Sequence, residues 1–176
     1  MLKKTLLTVG ILFAGLCAFL GIIWLKDTWP IERTSLKNEE VGKLAIGMDE
    51  SQISRYYSEF ATRHSQEETA FYYDDEANFI VHTDTETKEI ICIELRDTTA
   101  GQNFTTKRGI GIGSSLTGVK REYGTNYRQK NTELYGNLIE FQDDKTNQKM
   151  AFGIDSSNEK VTVVVLFNYK KFRYPY

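Results

Sequence analysis

Two stretches of this chain share one pattern 66 residues apart, Ala45-Ile-Gly-Met-Asp-Glu-Ser-Gln-Ile-Ser-Arg-Tyr-Tyr57 and Gly111-Ile-Gly-Ser-Ser-Leu-Thr-Gly-Val-Lys-Arg-Glu-Tyr123. At that offset Ile46-Gly47 falls on Ile112-Gly113, Ile53 on Val119, Arg55 on Arg121 and Tyr57 on Tyr123. Downstream, "FYYDD" at 71–75 answers "EFQDD" at 140–144, and "FIVHTDTETKEIICIEL" at 79–95 answers "MAFGIDSSNEKVTVVVL" at 150–166. A period of this size marks a unit that occurs twice, and it limits the chain to folds in which two small units share one architecture.

Each unit opens on a helix. Asp49 is placed as an N-cap with Gln52 three residues on as a capping box, and Met48 and Ile53 stand at hydrophobic-staple positions. Ile53, Tyr56, Tyr57 and Phe60 form an apolar stripe at helical spacing. In the second unit Ser115 caps, Leu116, Val119 and Tyr123 form the stripe, and Gly124 is placed to end the helix. Three extended segments follow each helix, about 70–74, 78–84 and 89–96, then 137–142, 148–155 and 160–168. The connections are short and polar, as antiparallel hairpins require. "IICIEL" and "VTVVVLF" are apolar on both faces, which puts them at the centre of a sheet or under cover on both faces.

"RGIGIGSSLTGVKREYG" at 108–124 resembles a phosphate-binding glycine loop. Such a loop follows a buried parallel strand and, in the P-loop, ends in Gly-Lys-Ser/Thr. Here Ser-Ser-Leu follows Gly113, the downstream strands meander, and the first unit keeps only Gly47 of the three glycines. The shared glycine is therefore turn chemistry, and no nucleotide is expected.

The run Thr5–Leu25 holds 21 residues without a charge, preceded by Lys3 and Lys4 and closed by Lys26. At about 1.5 Å per residue a helix of this length spans roughly 30 Å, a bilayer's hydrocarbon core. It reads as an uncleaved anchor, with the amino terminus cytoplasmic and everything after Lys26 extracytoplasmic. Of the 22 Lys and Arg, three lie in the first 26 residues, which carry no acid; the remaining 19 face 24 Asp and Glu, a formal charge of −5. That balance disfavours nucleic acid, whose binding rests on clustered cations. Cys92 is the only cysteine beyond residue 26, so no disulfide can form within that part.

The Gly-Met-Asp-Glu-Ser-Gln-Ile and Gly-Ser-Ser-Leu-Thr-Gly-Val stretches, each leading into a helix and a meander, resemble the small module of outer-membrane assembly lipoproteins of the SmpA/OmlA (BamE) type. The tandem arrangement is similar to that of the β-lactamase inhibitor protein, over approximately residues 44–168. The resemblance implies an α+β fold in which two helix-plus-three-stranded units place their strands in one curved antiparallel sheet. It also implies protein binding through the sheet or its loops, without catalytic machinery. One departure is the uncleaved anchor in place of a lipid-modified cysteine, which counts against an outer-membrane role.

The expected organisation is thus a membrane anchor at 1–26, a stalk at 27–43, units at 44–100 and 101–170, and a tail at 171–176. No metal or cofactor is expected, because His64 and His82 stand apart from any second ligand at metal spacing. Asp74-Asp75 and Asp143-Asp144 lack the alternating ligands of a calcium loop and read as turn formers. If Phe79, Val81 and Thr83 face the helix, then Ile80 and His82 face away, joined by Phe71, Tyr73, Ile90, Cys92 and Glu94. Phe71, Tyr73, Ile80, His82 and Glu94 are the candidate protein-binding residues of that outer face. The expected function is a non-enzymatic, membrane-anchored binding module with a protein partner at the cell envelope, of inhibitor, immunity or assembly-accessory type. The alternatives are a small envelope hydrolase built on His82 and neighbouring acids, or a ligand-sensing ectodomain.

Overall fold

The structure, a computed structural model, describes residues 34–60, 62–66, 68–74, 78–96 and 104–173, all within one compact unit, Glu32–Tyr176. Eight strands, β1 (Thr62–Gln66), β2 (Thr69–Tyr73), β3 (Phe79–Asp84), β4 (Ile90–Leu95), β5 (Arg128–Thr132), β6 (Gly136–Asp143), β7 (Gln148–Ile154) and β8 (Val161–Asn168), form one sheet. Their order is β1-β2-β3-β4-β8-β7-β6-β5, with antiparallel neighbours throughout. Two helices, α1 (Ser51–Tyr56) and α2 (Leu116–Tyr123), pack on one face.

Hydrophobicity sets the strand order. β4 is buried at every position, and β8 at all but Thr162 and Asn168, so these two take the middle. They pair as Cys92↔Phe167, Ile93↔Leu166, Glu94↔Val165 and Leu95↔Val164. The polar strands β1 and β5 take the two edges, where one side of the ladder needs no partner.

The inner face carries the core. Ile53, Tyr57 and Phe60 descend onto Phe79, with Tyr57 5.1 Å from Phe60 and 5.5 Å from Phe79 between ring centroids. On the other side Val119 and Tyr123 descend onto Phe141 and Phe152, 5.4 and 5.0 Å from the Tyr123 ring. The segment before α1 adds Leu36, Val41 and Leu44 to the same core. Leu36 is fixed there because its amide donates to Asp143 Oδ2 at 2.8 Å. At about 1.5–3 kcal/mol for each large side chain removed from water, this face dominates the folding energy.

The glycine turns work alike at both helix entries. Gly47 and Gly113 have φ of 87° and 81°, a region that side chains with Cβ rarely adopt. Gly47 N donates to Ile90 O and Gly113 N to Val161 O, both at 2.8 Å. Glu50 N and Leu116 N donate to Lys88 O and Glu159 O at 2.8 and 2.9 Å. These amides hold each turn against the hairpin that feeds a central strand, and so they are spent on the main chain rather than turned to a phosphate. A Cβ added at either glycine would meet no atom within 4 Å, so a substitution there tests backbone strain alone. Gly113→Ala is expected to cost about 1–2 kcal/mol, with Gly113→Asn costing less, as read by thermal unfolding.

Several expectations are corrected. The fold class expected from sequence was a transmembrane helix followed by two helix-plus-three-stranded units. The structure is instead a predominantly β, eight-stranded antiparallel sheet with two short helices, because polar segments at 62–66 and 128–132 also join the ladder. The expected anchor over residues 5–25 lies outside the described residues. Among the described residues no helix is long and apolar enough to cross a membrane. The single-pass localisation, the membrane contact through 5–25 and the envelope setting of a protein partner are accordingly withdrawn. The capping box of α1 also fails to form: Glu50 is the N-cap, and Asp49 instead accepts from Ser51 N at 2.9 Å. At α2, Ser115 does cap, accepting from Gly118 N at 3.1 Å.

Candidate functional site

The face opposite the helices is built from the alternate residues of the strands. One cross-strand row runs Phe71–His82–Cys92–Phe167–Lys149, and the next runs Tyr73–Ile80–Glu94–Val165–Ala151–Glu140–Arg128. The structure therefore brings Phe71, Tyr73, Ile80, His82 and Glu94 onto one face, but not with equal access. Ile80 is 9% exposed and Glu94 2%, while Phe71, Tyr73 and His82 remain half-buried.

Ile90, expected on this face, lies in the helix-side core with Ile93 and Leu95. The register shifts between His82 and Thr83, where His82 pairs with Cys92 and Thr83 with Ile90. The extra residue, Ile91, reverses the alternation at this point.

His82 sits among aromatic rings. Its centroid is 6.0 Å from Phe71 and 4.8 Å from Phe172, and Phe71 stacks on Tyr73 at 6.0 Å. Phe172 belongs to the carboxyl-terminal segment that follows β8. Asn168 turns it back: its side chain accepts from Lys170 N at 3.0 Å, and its carbonyl from Phe172 N at 2.8 Å. Lys171 then pairs with Glu89, which ties the turn to the β3–β4 hairpin. Four rings from β2, β3 and the carboxyl-terminal turn thus make one aromatic corner.

Burial pushes the His82 imidazole below its ordinary value of 6.5; Glu94 opposes this and Arg96 adds to it. The unfolded chain therefore takes up a proton near pH 6.5 that the folded chain refuses. Stability is expected to fall as pH drops below 6.5, by at most about 1.4 kcal/mol per pH unit. His82→Gln should remove that slope in urea titrations at stepped pH. Asp49, Asp84, Asp143 and Asp155, all held below 3.8, act in a lower range and do not mask it.

Glu94 is closed in by hydrogen bonds. Its Oε1 accepts from the Tyr135 hydroxyl at 2.6 Å and from Arg96 Nε at 2.5 Å. It lies in the row beside His82 and, at 2% exposure, offers almost no surface of its own. Asp84, the acid nearest His82 in sequence, accepts from Thr87 N at 2.7 Å and Glu86 N at 3.0 Å, so the β3–β4 turn occupies its carboxylate. Cys92 lies opposite His82, but burial holds its thiol well above 9.0 and hence protonated at neutral pH.

Asp74 accepts from Asn78 N at 2.7 Å and Phe79 N at 3.1 Å, and Asp143 from Lys145 N at 2.9 Å, so these acids shape turns. Among the described residues no three His, Cys, Asp or Glu side chains gather at a metal-sized site. The side chain of His64 lies outside the described residues.

No protein-family model and no curated protein matches this chain. Similar solved structures include two bacterial proteins. A cysteine-rich secretory protein from Staphylococcus aureus subsp. aureus Mu50 aligns with a TM-score of 0.47 and 11% identity over 74% of this chain and 46% of its own. An extracellular protein containing an SCP domain from Bacillus anthracis str. Ames aligns with a TM-score of 0.42 and 9% identity over 70% and 44%. The chain thus spans less than half the length of either. Both TM-scores lie below 0.5, too low to assign a fold family or an activity, and neither match bears on the BamE-type resemblance.

Proposed function

We propose that this chain is a non-enzymatic protein-binding module, of inhibitor or accessory type, that receives its partner on the aromatic corner Phe71–Tyr73–His82–Phe172. The observation that carries this reading is a cluster of four half-buried rings held from three elements on the sheet face opposite the helices. Half-buried rings that are already packed on one another lose little side-chain freedom when a partner covers them. Aromatic groups in such patches supply most of an interface's binding energy. In the neighbouring row of the same face the buried Glu94 carboxylate is held by Tyr135 and Arg96. The BamE-type resemblance is in keeping with this reading, since members of that family bind proteins through the sheet or its loops.

Site-specific photo-crosslinking in the native cell tests it. A benzophenone side chain at Tyr73 is expected to trap one stoichiometric partner, and the additional change Phe71→Ser should abolish the product. The same label at Leu134, which is 61% exposed on the β5–β6 turn, should trap nothing at that mass. Equal products at both sites, or none at Tyr73, would overturn the proposal.

A further inference from the structure

The helix side of the sheet carries a concave feature of its own. Val119 and Tyr123 of α2 pack over Phe141 and Phe152, but the helix is eight residues long and leaves part of the sheet beside it open. Between its first turn and the β7–β8 hairpin lies a cavity of about 330 Å³. That is the small end of ligand pockets, which run roughly 300–1,000 Å³. Leu116, Ile139 and Ile154 give it an apolar lining continuous with the core. Main-chain bonds fix its walls. Leu116 N donates to Glu159 O at 2.9 Å, and Val161 N to Ser114 O at 2.9 Å, which locks the hairpin to the helix entry.

Two side chains of opposite formal charge line this cavity without pairing. Lys120, half-buried, extends over the Tyr127 ring, with Nζ 5.6 Å from the centroid. Among the described residues its ammonium makes no ion pair or hydrogen bond, and neither does the exposed Glu159 carboxylate. Asp155, the other acid of the lining, is occupied: it accepts from Ser157 N and Oγ, both at 2.7 Å, and from Asn158 Nδ2 at 3.1 Å. A ligand that fills the cavity takes water from Lys120 and Glu159 together, so it must return a partner to each. A neutral polyol returns neither charge, and a simple anion or cation returns one. An α-amino acid carries carboxylate and ammonium on a single carbon, and each makes a charge-assisted hydrogen bond with its opposite.

We infer that this cavity binds a small zwitterion of the α-amino-acid class with an aliphatic side chain. Lys120 takes the carboxylate, Glu159 takes the ammonium, and Leu116, Ile139 and Ile154 take the aliphatic group. The site uses no residue of the aromatic docking corner and lies on the other side of the sheet, so either can fail alone.

The test uses the full chain at neutral pH and L-leucine as probe, with affinity from calorimetry and location from methyl NMR signals. The methyl signals of Leu116, Ile139 and Ile154 should shift saturably with leucine. Isoamylamine, which lacks the carboxylate, and isocaproate, which lacks the ammonium, should each bind about tenfold more weakly or worse, and glucose should not bind. Two variants, each checked for an unchanged fold by circular dichroism, should give a crossed pattern. Lys120→Met should weaken leucine about tenfold and leave isoamylamine unchanged, while Glu159→Gln should weaken leucine as much and leave isocaproate unchanged. A general loss of structure would weaken every ligand alike. Leucyl-glycine separates the sources: tighter binding of leucine identifies a free amino acid, and equal or tighter binding of the dipeptide identifies a peptide. Methyl shifts that fail to saturate, equal affinity for either analogue or for glucose, or unchanged leucine affinity in Lys120→Met or Glu159→Gln would each overturn the assignment.

Discussion

Arg108→Ala is expected to lower the free energy of unfolding by about 3–5 kcal/mol, because it strands a buried carboxylate. Glu39 is 3% exposed, and its Oε2 accepts from Arg108 Nε at 2.8 Å. The same guanidinium donates to Glu122 O at 2.7 Å and to Ser35 O at 2.5 Å, and lies 4.5 Å over the Tyr123 ring. One side chain therefore ties the segment before α1 to the carboxyl end of α2. The reverse change, Glu39→Ala, should cost less, since the Arg108 side chain is 29% exposed and can keep part of its hydration. Urea unfolding followed by circular dichroism measures both. A midpoint for Arg108→Ala that converts to less than about 1 kcal/mol, with m unchanged, would show that Glu39 is not stranded.

Phe152→Ala should cost about 3–5 kcal/mol as well, by a different route. Phe152 is fully buried between Tyr123 at 5.0 Å and Phe141 at 6.2 Å, where neighbouring rings cannot collapse into the space without moving strands. Because β7 is joined through β8 to β4, the loss should appear as one cooperative transition over both halves of the sheet. Two separate transitions, with β1–β4 retaining its structure, would contradict a shared core.

Much of this fold can be read in the chain because its core positions repeat simple periods. The apolar runs at 79–84, 90–95, 148–154 and 161–168 announce strands by alternation or by continuous hydrophobicity. Edge strands leave no such trace. Arg128–Thr132 is polar almost throughout, and only its ladder with β6 makes it a strand. The same reason hid the ion pairs of Glu140, since Lys130 and Lys149 reach it through register rather than through spacing.

The candidate site shows a parallel limit. Alternation correctly groups Phe71, Tyr73, Ile80, His82 and Glu94, but a bulge carries no sequence mark, so Ile90 changes faces unannounced. Access is likewise a tertiary property. Glu94 is closed in by Tyr135, 41 residues away, and Phe172 reaches His82 only because Asn168 folds the carboxyl-terminal turn back.

The aromatic corner and the ion pairs of Glu140 share one sheet face only if β4 and β8 are hydrogen-bonded neighbours. Native-state amide hydrogen exchange across that seam measures this most directly. The amides of Ile93, Leu95, Val164 and Leu166 should exchange only through global unfolding, with equal free energies on the two strands. Exchange of either strand through a smaller, separate opening would show two independent sheets and dissolve the shared face.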